Sequence, residues 1–278
     1  MLSILFGIGS ALCWGAADFT GGLASKRAQS YHVLILSEAA GLLPVIVMAI
    51  VANESIPPLA AWLWSGAASV LGTFGLLILY RALATGQMTV TAPVSALLAA
   101  AVPVLVGVFI DGLPDWATFL GFGLALAAIW TISQTGAGAD WRVNFRELRL
   151  PFIAGIFFGS YFVLIHQATH VAFFWPLING RLLGTLVMLG YAGALRGPML
   201  PPRQVWPLAI LSGLVDVAGS VCYILAARAG RMDVAAVLAA LYPGSTVILA
   251  WIFLKERISR PQIFGIMLAL AAIALMTL

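Results

Sequence analysis

Residues 124–129 read Leu-Ala-Leu-Ala-Ala-Ile, and residues 268–273 repeat them letter for letter, a shift of 144 positions. Without gaps, the same shift pairs Gly75 with Gly219, Gly86 with Gly230, Met88 with Met232, Phe109 with Phe253 and Gly121 with Gly265. Near the start of each copy, Gly15 falls on Gly159. Segments rich in Ala and Leu match one another by chance, but a single constant offset joining several separate segments is the signature of duplication. The chain therefore reads as two copies, residues 1–136 and 150–278, joined by a basic linker over 137–149.

Composition says where such a chain lives. Of 278 residues, 62% are hydrophobic and only 9% are Asp, Glu, Lys or Arg, against about 25% charged in soluble domains. A globule of this size cannot cover itself with so little charge, and the mean hydropathy of +1.06 agrees. A membrane helix needs about 20 apolar residues. Division at Gly, Pro and charge clusters gives ten: 2–24, 31–51, 60–81, 88–110, 117–135, 150–168, 173–195, 205–228, 233–254 and 261–278. The expected fold is an all-α polytopic membrane protein of ten transmembrane helices, five in each copy. The first stretch is too long for a signal-peptide core and is followed by further spans, so it reads as a retained helix.

Five is odd, so the second copy must enter the bilayer from the opposite side, as in the inverted repeats of many secondary transporters. The loop charges agree. Lys26, Arg27, Arg81, Arg142, Arg146, Arg149, Arg196, Arg203, Lys255, Arg257 and Arg260 all lie in odd-numbered loops, and only Arg228 and Arg231 lie in even ones. The positive-inside rule places the odd loops in the cytoplasm and both termini on the extracytoplasmic side. The net charge of +4 thus reflects membrane orientation and not nucleic-acid binding. In the linker, Trp141, Phe145 and Leu148 share one helical face and Arg142, Arg146 and Arg149 the next, which suits either a short interfacial helix or a basic loop. Cys13 and Cys222 lie within apolar runs and read as small packing residues.

Several of these features together resemble a known repeat. Pro243 within an apolar helix is followed by Lys255-Glu256-Arg257-Ile258, then by Gln262-Ile263-Phe264-Gly265 and a small-residue helix, while Trp14-Gly15 lies in the first span. This pattern resembles the EamA-type ten-helix family of the drug/metabolite transporter (DMT) superfamily over essentially the whole chain. The first copy departs from it, with Asp111-Gly112 where the Gly-Glu or Lys-Glu signature is expected. The resemblance implies a basket of ten helices around a central cavity, lined by the first four helices of each copy. It also implies alternating-access transport of small metabolites or drugs, mostly outward in bacteria, hence a place in the bacterial cytoplasmic (inner) membrane.

An ionisable group in hydrocarbon costs at least about 2.5–3.5 kcal/mol, so each needs a reason. Asp18 has Trp14 one turn away on the same face, a carboxylate beside an aromatic wall that suits an amine, a heterocycle or a proton. Glu38 in the second span and Arg181 in the seventh sit one residue off the repeat shift, and read either as a buried pair linking the copies or as separate contacts to a zwitterion. Asp216 lies near the middle of the eighth span, where burial suits a carboxyl group to proton exchange. Tyr80, Tyr161, Tyr223 and Tyr242 offer hydroxyls on four presumed cavity helices. Pro93, Pro103 and Pro243 remove backbone hydrogen bonds from the fourth and ninth spans, and Pro103 and Pro243 are hinge candidates. Gly155-x3-Gly159 and Gly180-x3-Gly184 allow close helix approach. His166 and His170, at i and i+4, read as interfacial residues and not as half of a metal site.

The resulting expectation is a secondary transporter exporting a small metabolite such as an amino acid, with no enzymatic activity, cofactor or metal. Protons are the candidate coupling ion, and the assembly is a monomer or homodimer in the lipid bilayer. The alternatives are a cationic drug/proton antiporter and an intramembrane enzyme, the latter lacking a converging nucleophile and base.

Overall fold

The computed structural model describes residues 1–84, 88–110, 112–132, 145–254 and 260–276. Lys255-Glu256-Arg257-Ile258, Asp111 and the linker up to Asn144 lie outside the described residues. Every regular element described is a helix. The first five are α1 (Leu2–Ser25), α2 (Ser30–Val51), α3 (Leu59–Ala84), α4 (Met88–Ile110) and α5 (Trp116–Ile132). There follow α6 (Phe145–Thr169), α7 (Phe174–Ala194), α8 (Trp206–Ala229), α9 (Met232–Ala239), α10 (Tyr242–Leu254) and α11 (Arg260–Met276). The end of the linker, Phe145–Arg149, continues into α6 as its first turn.

Seven spans are long and apolar enough to cross a bilayer, α9 and α10 counting together as Met232–Phe253. Apolar helix over Ser95–Ile110, Trp116–Thr131 and Ile263–Ala272 is shorter than a full span. These three correspond to the fourth, fifth and tenth expected spans, so among the described residues seven of the ten have a helix long and apolar enough to cross.

Contacts between individual residues give the helix directions. Along α1, Ser3, Ser10 and Trp14 meet Ala226, Gly219 and Asp216 of α8 in reverse order, so α1 and α8 are antiparallel. Glu54 beside Phe174 and Glu38 beside Arg181 make α2 antiparallel to α7. Gly72 beside Tyr161 and Gly75 beside Phe158 do the same for α3 and α6. In contrast α2 runs parallel to α8, Ser37 meeting Gly213 and Gly41 meeting Val217. Parallel too are α3 and α7, Ser65 meeting Asn179 and Thr73 meeting Gly184. Following these steps from α1 through α8, α2, α7 and α3 to α6 leaves α6 pointing opposite to α1.

The packing partners exchange with the copies. α1 packs on α8 and on α9–α10, while α6 packs on α3 and on α4; α2 meets α7, and α5 meets α11. Lipid is as apolar as Leu, so these seams depend on close packing and on hydrogen bonds between helices. Gly155 lies against Ser95 and Leu98 of α4 and Gly159 against Val102, the close approach that their spacing predicts. Ser3, Ser10 and Ser212 donate their hydroxyls across the α1–α8 seam to Ala226, Gly219 and Ala17 carbonyls.

The ninth expected span is broken. Helical geometry stops at Ala239 and resumes at Tyr242, because Pro243 has no N–H for the Ala239 carbonyl. Just beyond the break, side-chain hydroxyls tie α10 to α1: Ser245 donates to Ala11 O at 2.6 Å and Thr246 to Gly15 O at 3.1 Å. By contrast α4 is continuous through Pro93 and Pro103. The expected interruption of the fourth span does not occur, and Pro103 is not at a break. Outside the spans, Asp115 caps α5. Its carboxylate accepts from the Thr118 N–H at 2.9 Å and hydroxyl at 2.7 Å, donors that hold it below the usual carboxylate range.

The parallel α2–α8 crossing sets a stability prediction. A Cβ on Gly213 would sit 2.0 Å from Ser37 O, and neither backbone can yield cheaply. Gly213→Ala is expected to destabilise the protein by about 1–3 kcal/mol in detergent unfolding. Gly190→Ala, with no atom within 4 Å of the new methyl, should leave the midpoint unchanged.

Candidate functional site

A cavity of about 110 Å³ opens between the two copies, lined by residues of α1–α4, α6–α8 and α10. Its polar centre is built from four charged side chains, those of Arg181, Glu38, Asp216 and Asp18. Arg181 of α7 donates through Nη1 to Glu38 Oε2 at 2.9 Å and through Nη2 to Asp216 of α8. The Ser220 hydroxyl lies 3.5 Å from the same Nη2. The Arg181 and Glu38 side chains are only 9% and 7% exposed, and Asp216, at 19%, is turned further into the cavity. One guanidinium thus ties α2, α7 and α8 together across both copies.

Of the two readings left open for Glu38 and Arg181, the structure favours the buried pair. The involvement of Asp216 was not legible, because Asp216 shares no repeat position with either partner. Asp18, the fourth charge, lines the cavity with no hydrogen-bond or ionic partner among the described residues. It lies within electrostatic reach of Asp216.

Trp14 forms an aromatic wall. Its indole N–H donates to Asp216 O at 3.2 Å, and its ring stacks on Phe162 and Tyr223 at centroid distances of 5.4 and 5.8 Å. Tyr161 lines the cavity beside Ser220. Tyr242, first residue after the helix break, also lines it; its buried hydroxyl has no well-aligned hydrogen-bond partner among the described residues.

Two expected contacts do not reach the cavity. Tyr80 is buried behind it, its hydroxyl turned to the α1–α8 seam at Gly21 and Ser212. Tyr223 is fully buried on the far side of Trp14, and its hydroxyl donates to Phe162 O at 3.1 Å. Both complete the wall instead of facing its interior. Pro103 and Pro243 do not line the cavity either.

The sequence reading missed a row of hydroxyls. Ser65, Ser69 and Thr73 line the cavity from α3, and their spacing of four places them on one helix face. That pattern in an apolar run is a readable signal. Asn179, two residues before Arg181, extends the row by donating to Ser65 Oγ at 2.8 Å.

The two ends of the cavity differ. Towards the face where α1 ends and α2 begins, a packed cluster containing Leu34, Leu79, Tyr80, Met188 and Ala209 closes it. Towards the opposite face, Ser65, Ile165, Pro176 and Leu177 line it near the ends of their helices. On that face the Glu54 carboxylate accepts the Phe174 and Trp175 N–H groups at 2.8 and 3.1 Å and caps α7. His166 and His170 face each other there with ring nitrogens 2.9 Å apart. Among the described residues there is no cluster of three or more His, Cys, Asp or Glu side chains that could hold a metal.

Comparison with known proteins agrees with the duplicated architecture. The sequence profile of the EamA-like transporter family matches residues 1–134 and again 148–278. An uncharacterised protein, MJ1333.1 of Methanocaldococcus jannaschii, is 27% identical over 133 residues, 46% of this chain and 94% of its own length. That protein is the length of one copy. A protein known from its crystal structure superimposes with a TM-score of 0.78 over 99% of this chain and 98% of its own, at 18% identity, a likeness of fold.

Removing the shared cation tests the site's architecture. Arg181→Met leaves Glu38 and Asp216 buried without their counter-charge and is expected to cost about 3–5 kcal/mol, read as a lower unfolding midpoint in detergent. Adding Glu38→Gln to that variant should restore part of the loss. Additive losses would contradict the coupling.

Proposed function

The chain belongs to the EamA-like transporter family, and on that premise we propose that it is a secondary transporter exporting a small nitrogen-bearing metabolite, such as an amino acid or amine. It is a multi-pass membrane protein. The proposal adds ten spans in two inverted repeats, 1–136 and 150–278, in a bacterial cytoplasmic membrane with both termini outside. The opposed directions of α1 and α6 and the exchange of packing partners support the inversion. The odd-loop excess of Lys and Arg supports the orientation.

The observation that carries the function is the cavity itself, a polar hollow where α2, α7 and α8 cross near their middles. A bundle serving only as a scaffold gains nothing by placing three carboxylates and a guanidinium around open space in hydrocarbon. In the proposed orientation the packed Leu79–Tyr80 side is cytoplasmic, and the cavity leans towards the extracytoplasmic face. Export then alternates this arrangement with one in which the cytoplasmic cluster parts.

Asp216 is the proposed coupling residue. A proton on Asp216 removes one of the two charges that Arg181 binds and loosens α8 from α7, whereas Glu38 keeps α2 attached. The carboxylate excess also fits a cationic drug/proton antiporter.

Purified protein in liposomes loaded with unlabelled amino acids or short-chain amines should accumulate the labelled counterpart by counterflow without ATP. Asp216→Asn should keep counterflow but lose acceleration by an imposed pH gradient. Chemical conversion of the solute without its movement would point to an enzyme, and undiminished gradient-driven transport by Asp216→Asn would remove that residue from coupling.

A further inference from the structure

Resting on the transporter reading, and naming what its cavity binds, we propose that Asp18 and Tyr242 form a subsite for the ammonium group of a small solute, and that the site selects ammonium-bearing solutes over simple carboxylates. Arg181 is the single basic side chain among the cavity-lining residues. Its two terminal nitrogens are already engaged, one by Glu38 and the other by Asp216 and Ser220. A substrate carboxylate would have to compete with two internal carboxylates for that one guanidinium. It would also enter a cavity where carboxylates outnumber guanidinium three to one.

Asp18 stands in the opposite situation. It faces the cavity without a partner among the described residues, so a ligand cation meets an acceptor that nothing else occupies. Tyr242 supplies a second, independent sign. Its side chain lines the same cavity and is 8% exposed, and its hydroxyl has no well-aligned hydrogen-bond partner among the described residues. The Ser95 hydroxyl, likewise without a partner among the described residues, lies close by, so the two hydroxyls are neighbours that do not form a well-aligned hydrogen bond. Asp18 and Tyr242 are within electrostatic reach of each other.

A buried hydroxyl left unpaired is costly, and pairing it with a charged donor is the strongest form of repair available to it. An ammonium ion has three donors and no acceptor. The Asp18 carboxylate and the Tyr242 oxygen offer acceptors that match it, and Trp14 and Phe162 offer an apolar surface to a short alkyl chain. The helix break before Pro243 is what turns Tyr242 into this position, so the fold places the subsite deliberately close to the α1–α10 seam.

The test uses full-length protein in lipid nanodiscs, with propylammonium and butylammonium as probes and propionate and butyrate as size-matched controls. Thermal unfolding and equilibrium binding should respond to the two ammonium ions and not to the carboxylates. Asp18→Asn should abolish ammonium binding. Tyr242→Phe removes no well-aligned internal hydrogen bond, so it should fold, which its own unfolding midpoint checks, and bind ammonium roughly tenfold more weakly. Equal binding of carboxylates, no ammonium binding by the unaltered protein, or unchanged affinity in Tyr242→Phe would overturn the assignment. Liposomes that carry another solute while the alkylammonium ions fail to bind would remove the ammonium subsite and leave transport standing.

Discussion

Charge in hydrocarbon is the constraint on which this structure depends. Arg181 can remain within the membrane only because Glu38 and Asp216 meet it, and they can remain only because of Arg181. The three side chains belong to three helices and both copies, so balancing them fixes how α2, α7 and α8 cross. Once these helices are fixed, α1 is held to α8 by serine hydroxyls and by Trp14, and α3 to α7 by Asn179 and Ser69. The cavity is the space that this crossing leaves open.

Replacing such a buried ionic group with well-packed apolar residues often leaves a protein equally or more stable. Stability alone therefore does not account for the triad. A cluster in which one cation is shared by two carboxylates has more than one arrangement of similar charge balance, and a proton or ligand can choose among them. That property is useful to a machine that must alternate and is of little use to a rigid scaffold.

Much of the architecture was legible in the residues. Apolar runs gave the helices, the constant shift of 144 gave the duplication, and Pro243 gave the break in the ninth span. Glu38 and Arg181 could be paired because they fell almost on equivalent positions. Side-chain direction was harder to read. Helices that are apolar all round carry little periodicity to say which face is inward, so Tyr80 and Tyr223 were expected in the cavity on the strength of residue type and helix alone. Both face neighbouring helices instead. The Ser65, Ser69 and Thr73 row was readable from its spacing, but hydroxyls in membrane helices also bond to their own backbone, as Ser65 does to Ala61 O at 2.7 Å. Pro103 shows that a proline in an apolar helix need not break it, since α4 is continuous through it.

Transport by this chain requires a ligand-accessible hollow with a charged centre at mid-membrane depth. With Cys13 and Cys222 replaced by serine, the direct measurement is the reaction of single cysteines with a small water-soluble thiol reagent in liposomes. Thr73→Cys, in the cavity wall, should be labelled and should be protected by the transported solute. Leu12→Cys, on the outer face of α1 and 55% exposed, should remain unlabelled in the lipid. Labelling of Leu12→Cys with none at Thr73→Cys would contradict the account.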